Sequence, residues 1–287
     1  MTPVIINMKF RKRFLSIGIS LLFASLGLQA QVWEVGAKVG GAGYMGDLNL
    51  NNPLKISGLA AGVFVKANFD PYWSLGLHYM HGTISGDDAD SKLTTFRARN
   101  INFKTPLDEI SFQLDFNFLD YFSGGGRKNI SPYVFGGAGG LVFKPTATYD
   151  QFYKTYKWQS EGQTMRYKTY TLTAIYGAGF KYRIKNTSFS LLGELGFRTP
   201  LTDYLDDVSG TYATQYPTTV IGPNGLPQTR VLTEYEYAHN IIADPSENKI
   251  GVAGTQRGDG RARDSYMFAT VGLSFSFTED CFNFLKH

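Results

Sequence analysis

Apolar and polar residues alternate with a period of two along most of the chain from Val32 onward. The segment 266–277 shows the pattern most clearly, since every second residue is apolar: Met267, Ala269, Val271, Leu273, Phe275 and Phe277. A period of two is that of a β-strand, whose successive side chains point to opposite faces of a sheet. The pattern therefore predicts strands with one apolar face.

A second segment, 109–118, shows what the other face carries. Ile110, Phe112, Leu114, Phe116 and Phe118 alternate with Glu109, Ser111, Gln113, Asp115 and Asn117. Charged side chains on that second face cannot contact lipid, whereas the aromatic and aliphatic face can. The two faces of this strand are therefore expected to meet different surroundings.

The same rule predicts eight strands: 33–46, 57–69, 73–84, 109–118, 131–144, 168–184, 188–199 and 266–277. Most exceed the ~5–6 residues usual in soluble sheets and reach the ~9–11 that a tilted strand needs to cross a bilayer. An open sheet edge in hydrocarbon would leave backbone groups unpaired, so such strands must close into a barrel. We predict a small antiparallel transmembrane β-barrel of the outer membrane; a secreted β-sandwich is the alternative, with shorter strands.

The links between the predicted strands alternate in length. Three are short, at 70–72, 121–130 and 185–187, and four are longer, at 47–56, 85–107, 145–167 and 200–265. Outer-membrane barrels have short periplasmic turns and long extracellular loops, which places both termini in the periplasm. Within the longest loop, Pro223-Asn224-Gly225 predicts a turn between short strands, and 234–243 predicts a short helix.

The first thirty residues predict a secretory signal peptide. Lys9, Arg11, Lys12 and Arg13 precede the apolar run 14–28, and Ala30 supplies a small residue for cleavage. The run is shorter than the ~20 residues of a membrane-spanning helix, which is the alternative. We therefore expect residues 1–30 to be removed and 31–287 to form one barrel domain with a short periplasmic tail at 279–287, which contains Cys281.

The positive net charge of the chain comes from the predicted signal peptide. The net charge of +4 comes from 28 Lys and Arg against 24 Asp and Glu, and without the four basic residues of the signal peptide the remainder is neutral. A neutral chain with 15% aromatic residues does not indicate a nucleic-acid partner. One Cys also excludes an intrachain disulfide.

The parity of the strands predicts which charged residues face the lumen. They are Glu34, Lys38, Lys66, His78, Glu109, Asp115, Lys181, Arg183, Glu194 and Arg198. Eight strands leave an interior that side chains can fill, so we expect a paired internal network. A selective solute path is the alternative.

Candidate catalytic and metal-binding residues are few. His81 and Ser85 on the outward face suggest a lipid hydrolase, but four residues of extended strand separate them by more than ~12 Å and no orienting third group is evident. A second set lies in the long loops: Asp87, Asp88, Asp90, Arg97, Arg99, Asp203, Asp206, Asp207 and Arg257. Clustered carboxylates can bind calcium, but the nearby arginines favour a structural network of ion pairs and turn caps. We expect no catalytic residue, metal or cofactor.

Several motifs, in order, resemble those of the PorG family. They are 36–49, 84–90, 97–100, 131–135, 203–209 and 255–259. This family comprises small outer-membrane barrels of Bacteroidota that are associated with the type IX secretion system. The resemblance extends over about 33–277 and departs from the family at about 216–253 and after Phe277.

The resemblance implies a non-enzymatic scaffold that contacts outer-membrane lipid and links the membrane to a periplasmic ring of the PorK lipoprotein and PorN. The resemblance also implies a connection with gliding motility. Two other functions stay open: a lipid-modifying enzyme of the outer membrane, and a surface-binding or adhesion barrel that acts through its long loops.

Overall fold

In this computed structural model, the segments of alternating apolar and polar residues form eight long strands. The structure describes residues 32–121, 126–149, 152–157, 159–163 and 165–277; the expected signal peptide, Cys281 and the tail lie outside these ranges. The barrel strands are β1 Val32–Met45, β2 Ile56–Asn68, β3 Trp73–Asp87, β4 Asn102–Asn117, β5 Ile130–Phe143, β6 Tyr170–Arg183, β7 Phe189–Pro200 and β8 Ser265–Phe277.

Each strand pairs antiparallel with its neighbour in sequence, and β1 pairs with β8, so the sheet closes. Trp33 lies opposite Phe277 in the closing pair, and the one irregularity between β1 and β2 falls at Ala42 and Gly43. Closure removes the unpaired edges that an open sheet would present. The predicted fold, a closed eight-stranded antiparallel barrel, is confirmed.

Two helices and two short hairpins lie in the links. Helix α1 is Thr94–Arg99 and helix α2 is Glu234–Ala243, the segment for which the sequence predicts a helix. Thr233 begins α2 with a capping box, in which its side chain accepts from the Glu236 N–H and the Glu236 carboxylate accepts from the Thr233 N–H. The strands Thr219–Ile221 and Pro227–Thr229 form the hairpin predicted around Asn224.

The links define the two ends of the barrel. The short-turn end has the links 69–72, 118–129 and 184–188, and the long-loop end has the links 46–55, 88–101, 144–169 and 201–264. Strand β4 begins at Asn102, seven residues before the predicted start at 109, so the second long link is shorter than expected.

The outer surface of the barrel is apolar. Its exposed side chains include Leu59, Val63, Leu77, Phe112 and Val271. A contiguous band of this size is unusual on a protein surrounded by water, but it is what the hydrocarbon of a bilayer requires. Among the described residues, no helix is long and apolar enough to cross a membrane.

The interior is divided into two layers. Toward the long-loop end it is an apolar core that includes Tyr44, Met80, Phe103, Phe143 and Phe268, whereas toward the short-turn end it holds the charged side chains. Leu205, which belongs to the longest link and not to a strand, is fully buried in the apolar layer.

Candidate functional site: a filled lumen and its loop cap

The charged layer of the lumen is organised around Asp115. Its Oδ2 atom accepts hydrogen bonds from Lys66 Nζ at 2.7 Å and from Lys181 Nζ at 2.9 Å. All three side chains are buried. These two ion pairs, with longer contacts from Ser74 Oγ at 3.4 Å and Gln113 Nε2 at 3.3 Å, offset the cost of burying the carboxylate.

A second group of contacts surrounds Glu194. Lys38 Nζ donates to Glu194 Oε2 at 2.5 Å, and Tyr133 Oη donates to Glu194 Oε1 at 2.5 Å. Lys38 Nζ also donates to His78 Nδ1 at 3.1 Å. Because an ammonium can only donate, Nδ1 of His78 is the acceptor and its ring proton is on Nε2.

The third group joins Glu109 to Arg198 and Tyr266. Arg198 Nε and Tyr266 Oη donate to Glu109 Oε2 at 3.2 and 2.7 Å. The Arg198 guanidinium also lies 4.5 Å from the ring centroid of Phe268, at the boundary with the apolar layer.

The charges of the buried strand residues balance. Four basic residues face four acidic ones: Lys38, Lys66, Lys181, Arg198, Glu34, Glu109, Asp115 and Glu194. Glu34 accepts from Asn68 Nδ2 at 3.2 Å, and Arg183 lies half-buried nearer the short-turn end, where its Nη2 donates to Asn129 Oδ1 at 2.9 Å. The structure thus places the sequence-predicted lumen residues inside the barrel as a balanced set of charges, with Arg183 at its margin.

Above the apolar layer, the long loops form a cover. We call residues 46–49, 88–100, 203–209 and 255–259 the loop cap. Leu205 is fixed beneath it by two backbone contacts: its N–H donates to Asp264 Oδ2 at 2.9 Å, and its carbonyl accepts from Thr105 Oγ1 at 2.6 Å. The longest link is therefore anchored to its own last residue, Asp264, and to the barrel wall at Thr105 of β4.

Arg99 connects three parts of the loop cap. Its guanidinium makes a two-point contact with Asp88, Nε to Oδ2 at 2.7 Å and Nη2 to Oδ1 at 2.8 Å. It also donates to the backbone carbonyls of Arg257 at 2.9 Å and Asp47 at 3.2 Å. A buried guanidinium group that forms several hydrogen bonds at once, including a two-point contact with a carboxylate, fixes the relative positions of its partners.

Arg257 likewise connects separate links of the long-loop end. Its Nη1 donates to Glu161 Oε1 at 3.2 Å and to the carbonyl of Asp207 at 2.8 Å, and its Nη2 donates to the carbonyl of Ile242 in α2 at 3.0 Å. Glu161 in turn accepts from the N–H groups of Ser209 and Gly210. The carboxylate of Asp207 accepts from Tyr167 Oη at 2.5 Å.

Three buried carboxyl groups gather around the Tyr44 hydroxyl. Tyr44 Oη donates to Asp206 and, at 3.3 Å, to Asp264 Oδ1, and Asp47 accepts from the N–H of Asp259. Burial raises the pKa of Asp47 to about 7, and the neighbouring carboxylates of Asp259 and Asp203 act in the same direction. Burial also raises the pKa values of Asp206 and Asp264 well above the ordinary range. The charges of Asp264 and Asp47 add to the shift of Asp206, and those of Asp47 and Asp203 add to the shift of Asp264.

Two further carboxyls of the cap have shifted pKa values. Burial raises the pKa of Asp207 to about 6 although Arg257 opposes the shift, and burial raises the pKa of half-buried Asp203 to about 6. Several cap carboxyls therefore titrate between the ordinary range of Asp and neutral pH.

Other sequence-predicted loop residues lie outside this network. Asp87 caps a short turn by accepting from the Ala89 N–H, Asp90 is exposed, and exposed Arg97 donates to the carbonyl of Ser91. In contrast, Asp47, Glu161 and Asp264 belong to the network and were not among the predicted site residues. Asp47 stands inside the motif 36–49, which is the signal that identifies it.

The described residues contain no group of three or more His, Cys, Asp or Glu side chains arranged to hold a metal ion. The carboxylates of Asp264, Asp206 and Asp88 accept from a backbone N–H group, a tyrosine hydroxyl and a guanidinium group.

On the outward face, His81 has an orienting partner that the sequence did not reveal. Asp108 lies directly opposite it on β4, and His81 Nδ1 and Asp108 Oδ1 are 2.9 Å apart. The hydroxyl of Ser85, however, donates to the carbonyl of Ser57 at 2.8 Å. Four residues of strand separate Ser85 from His81, so the structure does not bring the two together as a nucleophile and base.

These features define a class of protein: a closed eight-stranded transmembrane β-barrel with a lumen filled by paired charges and a folded loop cap. The chain belongs to the family described as Domain of unknown function (DUF6089), whose model matches residues 12–224. A search of the curated proteins finds no match.

Solved structures of outer-membrane proteins are similar at low identity. Neisserial surface protein A is 9% identical, with 85% of this chain and 97% of that chain covered and a TM-score of 0.40. Ail of Yersinia pestis is 10% identical, with 87% and 100% covered and a TM-score of 0.37. A major outer membrane protein of Thermus thermophilus is 14% identical, with 87% and 100% covered and a TM-score of 0.36.

Proposed function

We propose that this protein is a non-enzymatic barrel of the outer membrane that acts as a PorG-type component of type IX secretion, holding the periplasmic ring of PorK and PorN at the membrane. The observation that carries the proposal is the filled lumen. Buried ion pairs occupy its charged layer, and Leu205 completes the apolar layer above it. Eight strands leave an interior that side chains can fill, and we infer that a barrel filled in this way acts through its surfaces.

The motifs that carry the family resemblance support a division of labour between the two ends. Asp47, Arg99, Asp206 and Arg257 all lie in those motifs, and their partners are residues of the long links or of the barrel wall. Their role is then to fold the long-loop end. The short-turn end is left to meet a periplasmic partner, since its links include the exposed residues Lys128 and Thr187.

Site-specific photo-cross-linking in the producing cells tests this assignment. A photoreactive residue at Thr187, in the turn between β6 and β7, is expected to capture the PorK or PorN protein. The matched control is Asn224, at the tip of the hairpin in the longest link, where the same residue is expected to capture neither.

Deletion of the gene supplies the functional arm. We expect the deletion strain to retain type IX substrates inside the cell and the intact gene to restore their export. Normal export by the deletion strain, or capture of ring proteins from Asn224 but not from Thr187, would contradict the proposal.

A further inference from the structure

A groove of about 670 Å³ runs along the outside of the barrel over β4, β5 and β6, close to the long-loop end. Its floor is Gly140, and Ile110 and Leu172 lie opposite Gly140 on the two neighbouring strands. A methyl group built on Gly140 would meet no atom within 4 Å, so the floor is open. The dimensions and apolar sides suit a hydrocarbon chain.

Two lysines stand at the end of this groove. Val142 lies opposite Tyr170, and the pairing continues because the Phe143 N–H donates to the Thr169 carbonyl at 2.9 Å. Extending this register by one residue beyond the last bonded pair sets exposed Lys144, which follows β5, opposite exposed Lys168, which lines the groove. Directly opposed like charges on neighbouring strands lie ~5 Å apart and destabilise the pair, unless an anion lies between them.

The surrounding charges leave this position positive. Asp108 is the one acidic residue lining the groove; it accepts from the Tyr79 hydroxyl at 2.8 Å, contacts His81 and interacts electrostatically with Lys144, so two lysines face a single carboxylate. Neither Lys144 nor Lys168 has an ion-pair partner within 4.0 Å among the residues that the structure describes. The apolar band of the barrel ends at this level, where lipid headgroups begin.

We propose that the groove binds a phosphorylated lipid of the adjoining leaflet, with an acyl chain along Gly140 and a phosphate between Lys144 and Lys168. The two ammonium groups supply the charge that a phosphate requires, and the ring of Tyr170 covers the junction between headgroup and chain. This site is separate from the lumen and the loop cap, and it does not depend on a role in secretion.

The test is a titration of fluorescent lipid A, with its phosphates intact, into the full-length mature protein in phosphatidylcholine nanodiscs. The double variant Lys144→Ala/Lys168→Ala is expected to bind about 25-fold more weakly, since each lysine near a charged surface contributes about fivefold. Gly140→Trp fills the groove from the outside without touching the lumen, and it is expected to weaken binding to a similar degree.

The matched control is Lys128→Ala/Lys185→Ala, which removes two exposed lysines from the short-turn end and is expected to change the affinity less than about twofold. Heat-modifiable migration in electrophoresis establishes that each variant is folded. Equal loss of affinity in the control, undiminished binding by Gly140→Trp, or equal binding of dephosphorylated lipid A would overturn the proposal. Inorganic phosphate that displaces the lipid at millimolar concentration would also overturn it, because the site would then recognise free phosphate.

Discussion

At the scale of single residues, the protein depends on buried charges that have specific partners. Asp115 lies between Lys66 and Lys181, and each of these side chains is buried. Desolvation of three charges is compensated only while all three remain together. The Asp115 carboxylate therefore holds together one of the three groups of the charged layer.

Asp115→Asn should destabilise the barrel by about 3–5 kcal/mol, because two buried ammonium groups lose their counter-charge. Urea-induced unfolding of the protein in lipid vesicles, followed by tryptophan fluorescence, measures the change. Asp120→Asn is the matched control: Asp120 pairs at 3.6 Å with exposed Arg127, and its loss should cost less than about 1 kcal/mol. Equal losses in the two variants would show that Asp115 does not hold the layer together.

The cap carboxyls predict how pH acts on the long-loop end. Burial raises the pKa of Asp47 to about 7 and that of Asp207 to about 6, while both would titrate near ~4 in an unfolded loop. The folded cap thus binds more protons than the unfolded cap between pH 4 and these values, so its stability is greatest at low pH and is lost as pH rises through about 6 to 7.

Hydrogen exchange of the Leu205 and Val208 amides, corrected for the intrinsic rate, should show more protection near pH 5 than near pH 8. Asp47→Asn should make the protection less dependent on pH, because it removes one of the shifted groups. Protection that increases with pH would contradict this assignment of the protons.

The alternation of residues predicts which side chains face inward, but it does not predict their partners. Lys66 on β2 meets Asp115 on β4, and Tyr266 on β8 meets Glu109 on β4, across strands that are not neighbours. Such contacts depend on how far each strand is shifted along the barrel, which one strand's pattern does not contain. Asp47 and Asp264 were missed for a related reason. Both lie in links, and their partners come from distant parts of the chain that no local pattern indicates.

At the scale of elements, the start of β4 shows what a sequence pattern leaves out. Pro106 interrupts the alternation, and a proline ordinarily argues against a central strand. In the structure Pro106 lies opposite Thr83 of β3, while β5 ends at Phe143, opposite Leu107. Pro106 therefore lies beyond the paired part of β5, where a missing N–H is tolerated.

The longest link is an element that completes the core of the barrel. Leu205→Ala should destabilise the loop cap by about 2–5 kcal/mol, because it removes a fully buried side chain and leaves a cavity. Exchange of the cap amides should accelerate while the amides of the barrel strands keep their protection. Leu226→Ala, in the exposed hairpin of the same link, is the control and should change stability by less than about 0.5 kcal/mol. Matched acceleration in the two variants would mean that Leu205 does not anchor the link.

At the scale of the whole molecule, strand pattern and link lengths predict the closed barrel together. The strand pattern is local, and the link lengths need only the number of residues between strands. Closure follows because a free sheet edge would leave backbone groups unpaired in lipid. The sealing of the lumen is different in kind, because it requires Leu205 to reach into a core made by the strands. A loop has no regular alternation of apolar and polar residues, so the sequence pattern does not predict the contact that Leu205 makes.

The orientation of the barrel in the membrane is the last prediction. Short links on one side and long links on the other place the long-loop end outside the cell and the short-turn end in the periplasm. Variants Asn224→Cys and Thr187→Cys probe the two ends, each in a Cys281→Ser background because the chain has one cysteine of its own. In intact cells, a membrane-impermeant maleimide should label the cysteine at position 224 and leave that at position 187 unlabelled until the outer membrane is permeabilised. Labelling at position 187 alone in intact cells would reverse the orientation and, with it, the assignment of the short-turn end to the periplasmic ring.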